Sequence, residues 1–187
     1  MKAIGLVGSP RKGGNVDILL QKALEGARDK GAETTLFYLN DMHIRGCQAC
    51  FACKKTGKCV VKDDMQAIYQ AIDEADGVIM GSPVYFGRIS AQLAPVLDRL
   101  YAYLMPDFSS TLAQGKKCGL VFTQGQPNSA LYLPSFESLA QVMGRLGFEP
   151  GSSSALIGAG LRELGAAAQN EQYLQQAYAM GGQLVAR

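Results

Sequence analysis

Four of the five cysteines in this sequence fall within one short segment. They are Cys47, Cys50, Cys53 and Cys59, so two intervals of two residues are followed by one of five. Short intervals let three thiolates converge on three irons of a cubane cluster, while the fourth reaches the last iron. Zinc also accepts four thiolates, but zinc sites typically use two separated pairs. The spacing favours a [4Fe-4S] cluster, with a zinc site or reduced free thiols as alternatives.

The surroundings of these cysteines also favour metal or redox chemistry. Such clustering in a reducing compartment argues against structural disulfides. The fifth cysteine, Cys118, lies inside an apolar run and is predicted to be a core residue. Cationic side chains that can offset thiolate charge surround the cluster: Arg45, Lys54, Lys55, Lys58 and Lys62.

A glycine-rich segment, residues 8–15, joins an apolar run to a helical pattern. The unpaired N–H groups and partial positive charge of a helix N-terminus suit a phosphate. Asn15 is the expected N-cap. Neither the P-loop nor the G-x-G-x-x-G fingerprint is present, so one phosphate is expected rather than a dinucleotide, and a turn that binds nothing is the alternative. The candidate residues are Ser9, Arg11, Gly13, Gly14, Asn15 and Val16.

Two further loops could hold a flat ring. Residues 81–87 follow the third apolar run and offer the aromatic side chains of Tyr85 and Phe86 beside Gly87. An isoalloxazine ring needs such a wall together with backbone donors, whereas a surface turn would pack these aromatics onto the core. Residues 123–128 follow the fourth run at the same predicted edge. The candidate residues are Pro83, Val84, Tyr85, Phe86, Gly87, Thr123, Gln124 and Gly125.

The elements that must position these loops alternate between strands and helices. Five apolar runs alternate with five helical patterns, which predicts a doubly wound parallel sheet with helices on both faces. The expected strand order is 2-1-3-4-5, the flavodoxin-like order. Residues 89–104 are predicted to be mostly helical, and Pro95 should start this helix late or kink it. One domain, 1–187, is predicted, with a cysteine-rich insertion at about 43–62. The strands are predicted at 3–7, 34–38, 77–81, 117–123 and 153–157.

Composition limits the classes of partner. The formal net charge of +2 is too small to argue for nucleic acid. The sequence has no run of 18 apolar residues, so no membrane span is expected and a cytoplasmic location is predicted.

Together these motifs resemble the iron–sulfur flavoproteins, within the broader NAD(P)H-dependent FMN reductase group of flavodoxin-like proteins. The resemblance covers nearly the whole chain, and its motifs keep their order. Where the family usually has threonine after the asparagine, this sequence has Val16. The motifs are Ser9-Pro10-Arg11, Gly14-Asn15, the Cys47–Cys59 block running into Asp63-Asp64-Met65, Ser82-Pro83-Val84-Tyr85-Phe86, and Leu97-Asp98-Arg99.

The resemblance implies FMN on the first two loops and a [4Fe-4S] cluster on the four clustered cysteines. It also implies a homodimer or homotetramer in which each cluster lies near a neighbouring subunit's flavin. We expect the cysteine loop not to fold over its own domain. The predicted function is an oxidoreductase that passes electrons from a donor such as NAD(P)H to a redox partner or small-molecule acceptor. The alternatives are a cluster-free NAD(P)H-dependent FMN or quinone reductase and a zinc- or thiol-based interaction module. No catalytic side chain is assigned.

Overall fold

The computed structural model describes residues 1–149 and 154–186. Five parallel strands form one sheet in the order β2-β1-β3-β4-β5, which confirms the predicted fold class. Strand β5 occupies the predicted place, although residue 153 of the predicted strand lies outside the described residues. The strands are β1 (Lys2–Val7), β2 (Glu33–Tyr38), β3 (Gly77–Pro83), β4 (Lys117–Thr123) and β5 (Ser154–Gly158).

Helices connect the strands, and a single-turn helix lies within the cysteine-rich segment. Pro95 lies in the first turn of α4, so this helix starts late, as expected for a residue without a backbone N–H. None of the helices among residues 1–149 and 154–186 is long and apolar enough to cross a bilayer. The helices are α1 (Asn15–Asp29), α2 (Cys53–Thr56), α3 (Met65–Glu74), α4 (Ala94–Leu100), α5 (Leu133–Arg145) and α6 (Glu171–Leu184).

Two hydrophobic clusters cover the two faces of the sheet. One packs α3, α4 and α5 against the sheet, and Cys118 on β4 belongs to it as predicted, with no exposed surface. The other packs α1 and α6 against the opposite face. These two helices touch at glycines. A Cβ atom on Gly181 would lie 1.7 Å from the Ala23 carbonyl oxygen, and one on Gly26 would lie 2.0 Å from that of Tyr178.

Candidate functional site

A cavity of about 280 Å³ opens at the carboxyl edge of the sheet. The loops that follow β1, β3, β4 and β5 form its walls, because parallel strands all end at this edge. The lining residues are Ser9, Arg11, Gly14, Asn15, Val16, Pro83, Val84, Tyr85, Thr123, Gln124, Gly125, Leu161, Arg162 and Leu164.

This lining brings together most of the residues singled out in the sequence. Gly13, Phe86 and Gly87 were also predicted, but they do not line the cavity. The wall that follows β5 was not predicted, and it is formed by Leu161, Arg162 and Leu164. The predicted parallel sheet could have indicated this wall, since the loop after the fifth strand must reach the same edge of the sheet.

Asp17 holds the first loop, residues 8–15, in place. Gly13 adopts a positive φ of 70°, a conformation that favours glycine, and its N–H donates to Asp17 Oδ2 at 2.7 Å. The N–H of Arg11 donates to Ser9 Oγ at 3.1 Å. These bonds fix the loop, while the first amides of α1 have no intrahelical acceptor and lie at the cavity.

Asp17, which is itself buried, also hydrogen-bonds two more exposed polar side chains on the side of β2. Its other carboxylate oxygen, Oδ1, accepts from Gln21 Nε2 at 2.8 Å and from the Tyr38 hydroxyl at 3.1 Å. Burial, followed by the hydrogen bond and negative charge of Asp17, raises the pKa of Tyr38. Lys12 pairs with Asp41 at 2.6 Å, and it does not line the cavity. The cation that the first loop contributes to the cavity is therefore Arg11.

Asn15 does not have the role that its position predicted. Gly14 is the N-cap of α1, and Asn15 is the first helical residue. Its Nδ2 donates to the carbonyl oxygens of Leu161 at 3.2 Å and Glu163 at 3.0 Å, and its Oδ1 accepts from the Ala167 N–H at 2.9 Å. The side-chain amide is thus used to hold the segment after β5, which corrects the N-cap prediction.

The second and third loops form the apolar end of the cavity. The Val84 N–H donates to the Thr123 carbonyl at 2.8 Å, so the two loops are joined at their base. Gln124 is 3% exposed, and its Nε2 donates to the carbonyls of Gln126 and Asn128. Tyr85 lines the cavity, but Phe86 is fully exposed and has a positive φ of 51°. Pro83, Val84 and Tyr85 therefore provide the surface suited to a flat ring.

The cysteine segment lies apart from this cavity, against the end of α4. Lys54 Nζ donates to the Tyr101 carbonyl at 2.6 Å and to the Leu104 carbonyl, and it lies 3.4 Å from the centre of the Tyr101 ring. The expectation that the loop would not fold over its own domain is wrong. Lys54 thus attaches the segment to the chain after α4 through two carbonyl groups and one aromatic ring.

The two ends of this segment are fastened by a buried ion pair. Arg99 donates to both carboxylate oxygens of Asp63, at 2.9 and 3.2 Å. The same guanidinium donates to the carbonyls of Arg45 and Val61, which flank the cysteines on either side. The Asp63 carboxylate also accepts from the Arg45 N–H at 2.9 Å.

The four clustered cysteines fit an iron–sulfur cluster or zinc in donor type but not in arrangement. Cys47 and Cys50 are exposed, and Cys53 and Cys59 are partly exposed. Across residues 1–149 and 154–186, no three cysteine, histidine or acidic side chains lie close enough to share a metal ion. The side chains that line the cavity come from outside this segment. Burial raises the pKa of the remaining thiol, Cys118, to about 12, as expected for an unreactive core residue.

Comparison with known protein families assigns the chain to one of them. The profile of the NADPH-dependent FMN reductase family matches residues 1–147, which include three of the four cavity loops. The chain belongs to this family. The resemblance recognised in the sequence is thereby confirmed at the level of the family.

Curated relatives of this FMN reductase family member carry the name iron–sulfur flavoprotein. One from Methanocaldococcus jannaschii is 46% identical over 99 residues, which are 53% of this chain and 51% of the relative. One from Methanosarcina thermophila is 42% identical over 99 residues, covering 53% and 52% of the two chains. The match therefore spans about half the length of these relatives.

Among solved structures, the fold is similar to that of an NAD(P)H:quinone oxidoreductase from Methanothermobacter marburgensis. The TM-score is 0.76 at 18% identity, and the alignment covers 100% of this chain and 97% of the other. At this identity the similarity shows the fold.

Proposed function

We propose that this FMN reductase family member is an FMN-dependent oxidoreductase that holds the flavin in the carboxyl-edge cavity. The observation that carries the proposal is the division of this cavity into two ends of different chemistry. Ser9, Arg11 and the first amides of α1 form a polar, cationic end, whereas Pro83, Val84 and Tyr85 form an apolar end. A flavin mononucleotide has the same division between phosphate and ring.

The roles of the residues follow from this orientation. The first turn of α1 would hold the phosphate, because its free N–H groups and the helix dipole favour an anion. The segment Pro83–Tyr85 would pack against the ring and limit its access to water. Bound FMN supplies the redox chemistry, since it exchanges electrons with a donor such as NAD(P)H and with an acceptor. The protein binds and orients it, so no side chain is assigned a catalytic proton transfer.

The identity and amount of bound flavin test this proposal. Purified protein should hold FMN, or bind it on addition, with about one flavin per chain. Release of the flavin by denaturation and its separation by chromatography distinguish FMN from FAD and riboflavin. FAD as the main species, or no binding of added FMN, would contradict the proposal.

A [4Fe-4S] cluster on Cys47, Cys50, Cys53 and Cys59 is the second part of the proposal. The cysteine spacing and the names of the curated relatives support it. The four thiols must move closer together to bind a cluster, and the exposure of Cys47 and Cys50 leaves them room to do so. The Arg99–Asp63 pair holds the ends of the segment fixed meanwhile.

Analysis of iron, sulfide and flavin in single cysteine variants tests the ligand set. After anaerobic reconstitution, alanine at any of the four positions should lower iron and sulfide content and leave the FMN content unchanged. Cys118→Ala is the matched control, because Cys118 lies in the core, and it should retain both cofactors. Equal iron in the wild type and in Cys53→Ala would reject the ligand assignment.

A cluster-free NAD(P)H-dependent reductase is the second candidate, favoured by the separated positions of the cysteines. It requires rapid NAD(P)H oxidation with a quinone or free flavin by protein that contains FMN and no iron. The zinc- or thiol-based interaction module would instead give colourless protein with one tightly held zinc. A visible spectrum combined with metal analysis distinguishes all three.

We also propose that the chain forms a homo-oligomer, with the rim of the cavity at the interface. Phe86 is fully exposed next to Tyr85 of the cavity lining. Leu131 is 49% exposed and precedes Tyr132, whose ring would lie 3.1 Å from a Cβ atom on Gly87. Apolar side chains that form one contiguous exposed patch are typical of protein contacts. Light scattering should show at least a dimer, and Phe86→Ser should shift the protein toward the monomer. A wild-type monomer at micromolar concentration with flavin bound would contradict this.

A further inference from the structure

Arg162 lies in the cavity wall that follows β5, and the surrounding chain fixes its place. The Gly160 N–H donates to the Gln126 carbonyl, and the Leu161 N–H donates to the Gln124 carbonyl, both at 2.9 Å. The carbonyls on either side of Arg162, those of Leu161 and Glu163, accept from the Asn15 side chain. The backbone of Arg162 is therefore held by two separate parts of the chain.

The side chain of Arg162 is directed across the third loop. Its Nε donates to the Gly125 carbonyl at 3.2 Å. A Cβ atom on Gly125 would lie 3.0 Å from Arg162 Cγ, so the glycine gives the arginine room to lie close against the loop. Within residues 1–149 and 154–186 the guanidinium makes no other hydrogen bond, so its terminal nitrogens are available to a ligand in the cavity.

The charged side chains that line the cavity are both positive. The charged residues that line the cavity are Arg11 and Arg162, which come from the first and last of its four loops. Within residues 1–149 and 154–186, neither arginine forms an ion pair with a carboxylate. A phosphate monoester carries up to about two negative charges at neutral pH. Guanidinium groups bind phosphate through paired hydrogen bonds.

We propose that Arg162 is a phosphate-binding residue of this cavity that determines ligand specificity. The proposal rests on the proposed flavin site and deepens it. The phosphate has two possible sources, the 5′-phosphate of FMN and the 2′-phosphate of a bound NADPH. Both present the same dianionic group, so the experiment has one arm for each source.

The first arm measures dissociation constants for FMN and riboflavin from flavin fluorescence. Wild type, Arg162→Gln, Arg162→Lys and a control, Arg145→Gln, are compared. Arg145 is an exposed arginine at the end of α5, outside the cavity. Loss of one charge-assisted hydrogen bond corresponds to about a tenfold to hundredfold weakening. If Arg162 binds the FMN phosphate, Arg162→Gln should weaken FMN by this factor and leave riboflavin unchanged. Lysine should restore part of the loss.

The second arm measures binding of NADP⁺ and NAD⁺ to the FMN-loaded proteins by calorimetry. A loss of NADP⁺ affinity alone in Arg162→Gln assigns the residue to the nicotinamide phosphate. The proposal is overturned if neither arm changes, or if phosphorylated and unphosphorylated ligands weaken equally. Absence of flavin binding by the wild type would overturn the proposed function instead. Titration of wild type and Arg162→Gln with inorganic phosphate would then decide the role of Arg162, with equal affinity counting against it.

Discussion

Arg99 and Asp63 form a doubly hydrogen-bonded ion pair in which both side chains are almost completely inaccessible, at 0% and 1% exposure. The guanidinium also holds the backbone on both sides of the cysteine segment, through the carbonyls of Arg45 and Val61. Arg99 of α4 thus holds both ends of the cysteine segment in place, although the segment lies more than thirty-five residues earlier in the chain.

Arg99→Met should strongly destabilise the protein, because it leaves the Asp63 carboxylate buried and without its cation. Breaking a buried ion pair in this way costs about 3–5 kcal/mol. Chemical denaturation measures the free energy of unfolding. The double variant Arg99→Met/Asp63→Leu should recover part of the loss, since it removes both charges. A single-variant loss below about 1 kcal/mol would contradict the structural role of the pair.

Acid should also weaken this contact. Burial by itself raises the pKa of Asp63, but hydrogen bonds and charge from Arg99, together with backbone N–H groups, lower it overall. A carboxyl group with a lowered pKa in the folded state stabilises the protein above its unfolded pKa, about 3.9, and this stabilisation is lost as pH falls through the folded pKa. Unfolding free energies between pH 3 and 7 should fall in the acid range. The fall should be smaller in Asp63→Asn, and equal slopes would contradict the prediction.

Asn15→Leu should release the segment that Asn15 holds. Three hydrogen bonds to Leu161, Glu163 and Ala167 are lost, so hydrogen exchange in 159–168 should increase. FMN and riboflavin should weaken together, because a wall of the cavity loosens. Weakening of FMN alone would restore the direct phosphate contact that the sequence indicated.

Gly181→Ala should destabilise the packing of α1 on α6. The added Cβ would lie 1.7 Å from the Ala23 carbonyl oxygen, so the helices must separate. Overpacking of this kind costs about 1–3 kcal/mol. Gly144→Ala is the matched control. Gly144 lies in α5 with no atom within 4 Å of the added Cβ. Alanine there should stabilise by up to about 1 kcal/mol. Equal melting temperatures for the two variants would contradict the close approach.

The fold and most of the cavity could be predicted because both follow from local patterns. Apolar runs and helical spacing predict the alternating elements, and a parallel sheet then places every loop after a strand at one edge. This is why residues as distant as Ser9 and Gly125 were grouped correctly. The parts that could not be predicted depend on partners far along the chain.

Asn15 and Arg99 illustrate this limit. An asparagine at the start of a helix predicts an N-cap. Nothing near Asn15 in the sequence indicates that its side-chain amide donates to a backbone carbonyl 146 residues later. An arginine in an amphipathic helix reads as a surface residue, yet Arg99 is 1% exposed because its partner is Asp63. The return of the cysteine segment to α4 depends in turn on Arg99 and Lys54.

The distance in sequence between Asn15 and its partners has a consequence for biosynthesis. The first turn of α1 is synthesised well before the wall that the Asn15 side chain holds, because that wall ends at Ala167. A nascent chain that has not been extended past Ala167 does not yet hold Leu161, Arg162 and Leu164 in the cavity wall. The cavity is thus completed only after Ala167 has been synthesised, and a flavin that depends on this wall can be retained only from that point.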